Sequence, residues 1–455
     1  MSDRFDRTGR LVAVLCVGLA LRAGLAFWAN GTNPAAFMQP DSFGYRQLAL
    51  NLLQHGVFSR SPAAPFEFEV FRTPGYPAFL AVLYFLFGTG QLGVVISQAL
   101  LAGLTGLVVF FIGRRLFSPE TGVLAAFFVS VDMAGIGMAN VVMSEVLFGL
   151  LLVISLQLVL RSLSAVKPGR DSLLAGLVLA IAAFVRPLGY YLVPLLAALL
   201  LARDAVAHDL RRGVVRVGLF ILAPVLLFGL WQGYRFARTG SARFSQIECL
   251  NMFWYHGCGA LSLERRQPIH DLQTELGLDS RTGRFDRWFE LHPETRGMSM
   301  TQVSERWLRE GWRLVIRHPL PALLVHLRGL FVQLFDPGSF PLAQMAGAED
   351  SESGHGVHAV LQCAPLSLIG FLWREHRLLL VLSVAGVLWL ASVYAGVVAA
   401  LAGQRPGFGV MLLVVVAAYC LIAGAGCEAA ARFRVPVFPL IAVLAAQGWR
   451  RMLNR

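Results

Sequence analysis

The stretch PDSFGYRQLALNLLQHGVFS at residues 40–59 and the motif RTPGYP at residues 72–77 decide how this chain is organised. They follow the first long apolar segment. The region is too polar, and too often broken by Pro and Gly, to cross a bilayer. It is nevertheless rich in Leu, Phe and Tyr, which is typical of a segment at the membrane surface. Its acid, Asp41, is therefore expected where a lipid headgroup and a water-soluble molecule can meet.

The composition is that of a polytopic membrane protein. Of the 455 residues, 56% are hydrophobic and 15% are charged, and the mean hydropathy is +0.63. Ordinary soluble domains are less apolar and more charged. The formal charge of +12 reflects Lys and Arg gathered in cytoplasmic loops, so it does not indicate nucleic-acid binding. The six cysteines contain no CxxC and no zinc-type spacing with His, so no structural metal site is predicted.

Ten apolar runs are candidates to span the membrane, which takes about 20 residues each. They are Leu11–Trp28, Leu92–Ile112, Val123–Val142, Val146–Leu160, Leu173–Val185, Leu188–Leu201, Val214–Trp231, Leu378–Leu401, Gly409–Gly424 and Val435–Trp449. Basic residues between them mark cytoplasmic loops. These are Arg114, Arg115, Arg161, Lys167, Arg170, Arg203, Arg211, Arg212, Arg405, Arg450 and Arg451. The amino end carries three arginines and is expected on the same side, with the first run retained as a helix.

This orientation constrains the remaining apolar pieces. If Tyr76–Phe87 crossed the membrane, Arg114 and Arg115 would lie outside, so we expect a surface or re-entrant helix there. Leu320–Phe335 and Val357–Trp373 must both cross or both stay out. The sequence therefore predicts an all-α protein with about ten or about twelve transmembrane helices and interfacial helices in the first outer loop.

Three regions follow from the same analysis. Residues 1–233 form an amino-terminal transmembrane module with a first outer loop at 30–90, residues 234–318 form an outer-face insert, and residues 319–455 form the carboxy-terminal transmembrane helices. The insert is polar, of mixed charge, and contains Cys249 and Cys258 in a compartment that favours disulfides. We predict that these two cysteines pair, the alternative being two free thiols.

Two acids are candidates for chemistry. Asp41 is an outer-face carboxylate that could take a proton from a hydroxyl, or it could simply cap the helix expected over Ser42–Gln54. Glu145 follows Ser144 at the outer end of an apolar helix, where an ionisable group usually faces a polar cavity or a partner. A capping box or a buried ion pair is the structural alternative for Glu145. Asp132, deeper in the membrane, is expected to pair with Arg22.

Arginines at the outer helix ends are the informative basic residues, because the positive-inside rule does not place them there. They are Arg72, Arg186, Arg432 and Arg434. A guanidinium group matches the geometry of a phosphate, so a phosphorylated lipid is the natural ligand. Any one of them alone would be explained by contact with headgroups. Four on the side of Asp41 favour a site.

These motifs, in this order, resemble the GT-C glycosyltransferases, and the resemblance covers nearly the whole chain. They are the Pro-Asp-x-x-x-Tyr loop after the first helix, Arg-Thr-Pro-Gly-Tyr-Pro, Ser-Glu opening a later helix, Arg-Pro, and Glu428 followed by Arg432-Phe433-Arg434-Val435-Pro436. The chain is more narrowly similar to the branch of protein O-mannosyltransferases and lipid A aminoarabinose transferases, related to glycosyltransferase family 39.

The resemblance implies a GT-C fold and transfer of a sugar from a polyprenyl-phosphate donor to an acceptor on the outer face, with inversion. It makes Asp41 the base and Glu145 the second catalytic acid, and it gives the leaving phosphate to the four outer arginines. Tyr45, Tyr76 and Glu428 are expected to line the substrate. Many family members carry two adjacent acids where this chain has Asp41 and Ser42. Binding of a divalent metal therefore stays open, and no metal ligand is assigned.

The preferred interpretation is a multi-pass glycosyltransferase of the bacterial inner membrane, with its site facing the periplasm. Its expected partners are the lipid-linked sugar, membrane lipids, and an acceptor that is a protein, a lipid or a glycan. One rival is a flippase or transporter for lipid-linked sugars, although transporters often show inverted repeats and broken midplane helices, which this sequence lacks. The other rival is a polymerase or ligase for surface polysaccharide.

Overall fold

The computed structural model describes residues 2–164, 169–279, 284–347, 374, 376–402 and 406–454. Lys167, Arg405 and the apolar run Val357–Trp373 lie outside these ranges. Within them the chain is helical, without a β-sheet, and only Asp279 and Arg284 form an isolated bridge. The expected all-α class is confirmed.

The transmembrane region before the insert contains ten of the described helices. They are α1 (Ser2–Thr32), α2 (Pro40–His55), α3 (Gly75–Phe87), α4 (Gln91–Leu116), α5 (Pro119–Val131), α6 (Met133–Ala139), α7 (Glu145–Ser164), α8 (Gly169–Val185), α9 (Leu188–Val206) and α10 (Leu210–Thr239). A short 3₁₀ helix, Pro34–Phe37, precedes α2.

The insert and the end of the chain supply the rest. These are α11 (Ile247–Asn251), a π-helix (Met252–Gly257), α12 (Cys258–Arg265), α13 (Ile269–Glu275), α14 (Asp286–Leu291), a 3₁₀ turn (Pro293–Thr295), α15 (Met300–Arg317), α16 (Pro319–Phe335), α17 (Ser339–Met345), α18 (Arg377–Leu401), α19 (Phe408–Ala423), α20 (Ala431–Arg434) and α21 (Phe438–Leu453).

Local sequence explains why α2 forms in the loop after α1. Pro40 occupies the first helical position, where its missing N–H costs nothing. The backbone N–H of Gln39 donates to the Ser42 hydroxyl at 2.9 Å, and Gly56 ends the helix with φ +64°. The helix cap is therefore Gln39, two residues before Asp41, which was the expected cap. Asp41 lies inside the first turn, and its carboxylate is available for other partners.

The expected span Val123–Val142 is broken in the middle. Helices α5 and α6 meet at a 59° bend. Asp132 stands at the break and accepts the Gly135 N–H at 2.7 Å, which caps α6. Arg22 donates instead to the carbonyl oxygens of Ser130 at 2.7 Å and Val129 at 3.0 Å. The ion pair expected between Arg22 and Asp132 is thus replaced by two backbone caps on either side of the bend.

The described helices do not confirm the expected count of ten spans. Six of them are long and apolar enough to cross a membrane, or up to eight if each of two bent pairs counts as one span. Helix α3 has 13 residues and α19 has 16, both shorter than a usual crossing. Tyr76 of α3 lies beside Gln98 and Tyr84 beside Gln91, so α3 runs antiparallel along the first turns of α4.

The insert has its own core and rests on the Asp41 loop. Val70 and Phe71 of that loop pack with a cluster of buried residues from the insert. These are Phe253, Trp254, Cys258, Leu272, Leu278, Trp288, Val303 and Trp307. The Gln246 N–H donates to the Val70 carbonyl at 3.0 Å, as does the buried Arg235 guanidinium. The insert and the loop therefore form one unit at one end of the helical bundle.

The basic helix ends lie together at the opposite end. Arg450 of α21 pairs with Glu120 of α5 at 3.1 Å, and Arg161 of α7 pairs with Asp171 of α8 at 3.2 Å. Gly409 at the start of α19 packs between Leu116, the last residue of α4, and Leu160, which lies in the last turns of α7. The two ends of the molecule thus differ in charge as well as in shape.

Cys249 and Cys258 do not form the expected disulfide. Both are free and fully buried, Cys249 on α11 and Cys258 at the first turn of α12. Cys258 lies in the apolar core of the insert, where a thiol behaves as a small hydrophobic side chain, whereas Cys249 lies near Arg243, Glu305 and Glu248. The first turn of the insert is held by packing around Trp254 and Trp307 instead.

Candidate active site

Asp41 lies between two arginines from distant parts of the chain. Its Oδ1 is 2.5 Å from Nη2 of Arg72, and its Oδ2 is 3.0 Å from Nη1 of Arg432. Arg72 belongs to the RTPGYP motif before α3, and Arg432 lies in α20, just before the last helix. About a third of the Asp41 side chain is exposed. The three groups form an ion cluster that is open to a ligand.

Tyr45 contacts Arg72, and Tyr76 packs against Tyr45. Its guanidinium lies over the Tyr45 ring at 4.4 Å, and the Tyr45 and Tyr76 rings meet edge to face at 4.9 Å. The Tyr76 hydroxyl donates to Gln98 Oε1 at 2.8 Å, and Gln98 donates in turn to the Val141 carbonyl at 2.6 Å. Tyr76 was expected to line the substrate. It is fully buried, so it supports the site instead. Tyr45 lies between Arg72 and Tyr76.

Glu69 fixes the backbone that carries Arg72, and sequence reasoning missed it. Its Oε1 accepts the N–H groups of Phe71 at 2.7 Å and Arg72 at 3.0 Å, while Oε2 pairs with Arg60. Glu69 is buried, and a buried carboxylate with several donors holds its surroundings rigidly. The alternation of Glu and Phe before the RTPGYP motif was the available signal.

Gly75 brings the RTPGYP motif against the loop that carries Arg186. A Cβ on Gly75 would lie 2.5 Å from the Phe184 carbonyl carbon and 2.7 Å from the Val185 N atom, so no larger residue fits. Arg186 follows directly at the end of α8. The close contact explains why glycine stands between the two prolines of the motif and why two arginine-bearing loops converge.

Glu145 and Arg186 form a second ion pair beside the first cluster. Glu145 Oε1 lies 2.6 Å from Arg186 Nη1, which also donates to the Ser144 hydroxyl at 3.2 Å. Glu145 is only 1% exposed, and its Oε2 has no hydrogen-bond donor among the described residues. Glu145, the first residue of α7, is thus the acid of a buried ion pair, and its Oε2 stays available as an acceptor.

Phe433 joins the two pairs. The guanidinium of Arg432 lies 4.8 Å from the centre of the Phe433 ring, and that of Arg186 lies 5.7 Å from it. Both distances are within the range of cation–π attraction. The structure therefore brings together five of the predicted site residues: Asp41, Arg72, Glu145, Arg186 and Arg432.

Arg434 faces away from this group and does not join the predicted set of phosphate contacts. It is fully buried, and its Nη1 donates to the Leu334 carbonyl at 3.1 Å and to the Gln333 carbonyl. These carbonyls end α16, where a cation is stabilised by unpaired backbone oxygens. Arg434 therefore anchors α20 to α16, and only Arg432 of the two points to Asp41.

The insert contributes Tyr255, which sequence reasoning also missed. Phe253 and Trp254 of the π-helix enter the core of the insert, whereas Tyr255 turns toward the loop with Glu428. The Cys427 thiol donates to the Tyr255 carbonyl at 3.0 Å, which fixes the two segments together. Burial, together with the carboxylates of Glu428 and Asp41, raises the pKa of Tyr255, whereas Arg432 lowers it. π-Helical turns are frequent at functional sites.

The electrostatics of Asp41 follow from its partners. Burial acts to raise the pKa of this carboxyl, but the guanidinium groups of Arg72 and Arg432 outweigh burial and hold the pKa below its usual range. Asp41 is therefore ionised at any physiological pH and is a poor base while both arginines contact it. It becomes a better base when a competing anion draws the arginines away.

The two acids are not arranged as metal ligands. Asp41 and Glu145 each have arginine partners, which repel a cation. Within the described ranges no group of three His, Cys, Asp or Glu side chains converges to hold a metal ion.

Comparison with known proteins gives a sequence match and a set of structural matches. Residues 72–228 match the model of the dolichyl-phosphate-mannose-protein mannosyltransferase family, which is about a third of the chain. No curated protein sequence is significantly similar. The matched range contains Arg72, Glu145 and Arg186, whereas Asp41 and Arg432 lie outside it.

The structural matches extend over almost all of the chain. The oligosaccharyltransferase AglB from Archaeoglobus fulgidus, solved with an inhibitory peptide and a dolichol-phosphate, superposes with a TM-score of 0.55 at 13% identity. The match covers 99% of this chain and 51% of AglB. The apo form of that enzyme gives a TM-score of 0.56 at 15% identity, over 98% and 50% of the two chains. The chain thus spans about half the length of these proteins.

A looser match is to ArnT from Cupriavidus metallidurans, solved with bound undecaprenyl phosphate, with a TM-score of 0.40 at 15% identity over 98% of this chain and 79% of ArnT. The AglB superpositions, at TM-scores above 0.5, are the ones that define the fold. The chain is therefore a multi-pass membrane protein with the fold of AglB, and its residues 72–228 are similar to the dolichyl-phosphate-mannose-protein mannosyltransferase family.

Proposed function

We propose that the protein transfers a sugar from a polyprenyl-phosphate donor to an acceptor at the membrane surface, with inversion at the anomeric carbon. The observation that supports this best is the convergence of Arg72, Arg186 and Arg432 with Asp41 and Glu145 next to a surface helix. Three guanidinium groups at one place suit a phosphate. An acid among them suits the removal of a proton from a hydroxyl.

The donor phosphate competes with Asp41 for Arg72 and Arg432. A lipid phosphate offers more oxygens than a carboxylate, so both guanidinium groups can bind it while releasing Asp41. The loss of its two cationic partners brings the pKa of Asp41 back toward its ordinary range. Binding of the donor thereby converts Asp41 from an ion-pair partner into a usable base.

The transfer step then needs one base and a stabilised leaving group. The acceptor oxygen forms a bond to the anomeric carbon as the bond from that carbon to the phosphate oxygen breaks. The electron pair stays on the phosphate, where arginines neutralise the charge, and the acceptor proton passes to Asp41. No acid is required at the leaving group.

Glu145 has a supporting role in this scheme. Its ion pair with Arg186 keeps that guanidinium directed toward the site, and its free Oε2 is an acceptor for a donor or acceptor hydroxyl. Glu428, which is exposed and near Tyr255, completes the edge of the site that faces the insert.

We propose that the site faces the outer, periplasmic side of a bacterial inner membrane, and the distribution of basic residues supports this. The basic ends of α4, α7 and α21 lie at the opposite end of the bundle from Asp41, and cytoplasmic ends are the ones rich in Lys and Arg. A carrier of the undecaprenyl type is the donor that such a membrane offers. The acceptor is a protein, a lipid or a glycan exposed on that face.

The test is Asp41→Asn in the purified full-length protein, with release of free polyprenyl phosphate from lipid-linked sugar as the readout. We expect a loss of about a hundredfold or more in turnover, with donor binding retained. The matched control is Asp171→Asn, which removes an acid paired with Arg161 at the other end of the bundle.

The control variant should keep its turnover. Near-normal turnover in Asp41→Asn together with loss in Glu145→Gln would exchange the roles of the two acids. Translocation of lipid-linked sugar without release of the carrier phosphate would contradict a transferase and favour a flippase.

A further inference from the structure

Helix α15 has three distinct faces. One face is buried in the core of the insert through Val303, Trp307 and Gly311. A second strip, at i and i+4 spacing, carries Leu308, Trp312 and Ile316. Trp312 is 49% exposed and Ile316 is 71% exposed, although both are large and apolar. An apolar strip of this kind beside a packed face is unexpected for a helix in water.

The third strip is basic and borders a groove. The groove has a volume of about 570 Å³ and is lined by Met298, Gln302, Arg306, Arg309, Glu310 and Arg313. Arg306 pairs with Glu294 at 2.8 Å and Arg313 with Glu310 at 2.8 Å. Arg309 is exposed, and no ion-pair partner for it occurs among the residues that the structure describes. The groove therefore carries an excess of positive charge.

The turn after α15 places both strips at the bilayer surface. Helix α16 leaves α15 at 102°, because His318 ends α15 and Pro319 opens α16. Helix α16 exposes a run of apolar side chains, Leu320, Leu323, Leu324, Leu327 and Phe331. If α16 points into the lipid, α15 lies nearly parallel to the membrane plane, as interfacial helices do.

We infer that this groove binds the headgroup of an anionic phospholipid, with Trp312 and Ile316 inserted at the boundary of the acyl chains. The arginines supply the charge complementarity, and Trp is the residue that membrane interfaces favour. The site is separate from Asp41 and its arginines, and it tethers the insert to the membrane. It does not depend on the proposed transfer reaction.

The lipid and a soluble anion make different demands on the groove. A soluble phosphate or polyanion needs only the arginines, whereas a phospholipid also needs the apolar strip. The occupant is therefore identified by whether Trp312 contacts acyl chains while the arginines contact the headgroup.

The first experiment measures lipid selectivity. Full-length protein is reconstituted in nanodiscs of phosphatidylcholine mixed with phosphatidylglycerol, and retained lipids are counted by native mass spectrometry. Combined Arg306→Gln, Arg309→Gln and Arg313→Gln substitutions should lower the preference for phosphatidylglycerol by about a hundredfold, and Arg309→Gln alone by about fivefold. The matched control replaces Arg265, Arg284 and Arg287, which are exposed on the same insert outside the groove, and should keep the preference.

The second experiment locates the apolar strip. Acyl-brominated phosphatidylglycerol quenches tryptophan fluorescence at the interface, and Trp312→Phe should remove a distinct part of that quenching. Equal retention of phosphatidylglycerol by the triple variant and the control would overturn the proposal. So would binding of inorganic phosphate to the groove with no quenching assigned to Trp312. The single Arg309→Gln variant preserves both ion pairs of the groove, so it tests the site even if the triple variant folds poorly.

Discussion

The protein places an aspartate between two arginines at each end of its helical bundle, and the two clusters differ in almost everything else. At the basic end, Asp204 contacts Arg203 at 2.5 Å and also Arg216. Asp204 is 1% exposed and Arg216 is fully buried, and all three residues lie within a short stretch of chain. At the other end, Asp41 is partly exposed, and its partners Arg72 and Arg432 follow it by 31 and 391 positions.

We infer from this difference that the Asp204 cluster is structural and that the Asp41 cluster is the proposed site. The buried cluster of neighbouring residues joins α9 to α10. Its charges are paired within the cluster, and Arg216 also donates to the Ser162 carbonyl at 3.4 Å. An open cluster assembled from distant segments keeps charges accessible at a cost in stability, and such sites are where ligands bind. The same combination of one aspartate and two arginines is thus assigned a structural role at one end and a functional role at the other, and the exposure of the aspartate distinguishes the two.

The largest expected effect compares the two aspartates directly. Asp204→Asn leaves the buried Arg216 without its counter-charge, which should cost about 3–5 kcal/mol of folding free energy while turnover per folded molecule is kept. Asp41→Asn should do the reverse. It should lower thermal stability less than Asp204→Asn does, because about a third of the Asp41 side chain is exposed, and it should leave almost no turnover. Thermal unfolding in detergent and an assay of carrier-phosphate release measure both. Equal destabilisation by the two variants would remove the distinction.

The outer arginines should divide in the same way into residues that bind the donor, Arg186 and Arg432, and a residue that stabilises the fold, Arg434. Arg186→Ala and Arg432→Ala should weaken donor binding by roughly ten- to a hundredfold, because each loses a charge-assisted contact of about 1.5–3 kcal/mol. Lysine at either position should restore only part, since its single ammonium cannot bind two oxygens at once. Titration with the lipid donor gives the affinities. Arg434→Lys is the comparison, because we expect it to affect stability and leave donor binding unchanged.

A smaller effect is expected at Tyr255. Tyr255→Phe removes only the hydroxyl, so the insert should pack normally and kcat/KM should fall about three- to tenfold, the size of one hydrogen bond. Tyr234→Phe on exposed α10 is the control and should match the wild type. A fall in thermal stability without a change in kcat/KM would mean that Tyr255 only supports the insert.

The smallest effect concerns pH. The arginines hold the folded-state pKa of Asp41 below its ordinary value, so its ion pairs stabilise the folded protein above about pH 4 and are lost only at still lower pH. Between pH 8 and pH 5 Asp41 therefore adds no pH dependence. The melting temperatures of the wild type and Asp41→Asn, measured over that range, should run parallel. Curves that converge toward pH 5 would show that Asp41 titrates there.

The sequence could place on one side of the membrane those candidate residues whose position is fixed by topology. Asp41, Arg72, Glu145, Arg186 and Arg432 all stand at helix ends, where the positive-inside rule and the order of the motifs place them on one side. The positions it predicted poorly depend on rotation about a helix axis. Arg434 lies two residues after Arg432, yet it faces α16 and not Asp41.

Long-range contacts were out of reach for the sequence. Gln98 and Tyr255 act through partners that only the folded chain brings near, and neither belongs to a motif. The break at Asp132 was missed because hydropathy registers the apolar run of α5 and α6 but not the cap that divides it. The expected count of ten spans was not confirmed for a different reason: some of the apolar helices, such as α19 and α21 with 16 residues each, are shorter than a usual crossing.

The long separation in sequence between Asp41 and Arg432 also bears on when the proposed site can form during synthesis. The surface helix α2 and Arg72 emerge from the ribosome early, but Arg432 precedes only the final helix, α21. Until the membrane-insertion machinery has placed that helix, Asp41 has one of its two arginines and no complete phosphate site. If the proposed function holds, a nascent chain that lacks Arg432 cannot bind the donor phosphate fully, and transfer begins only after α21 has been inserted.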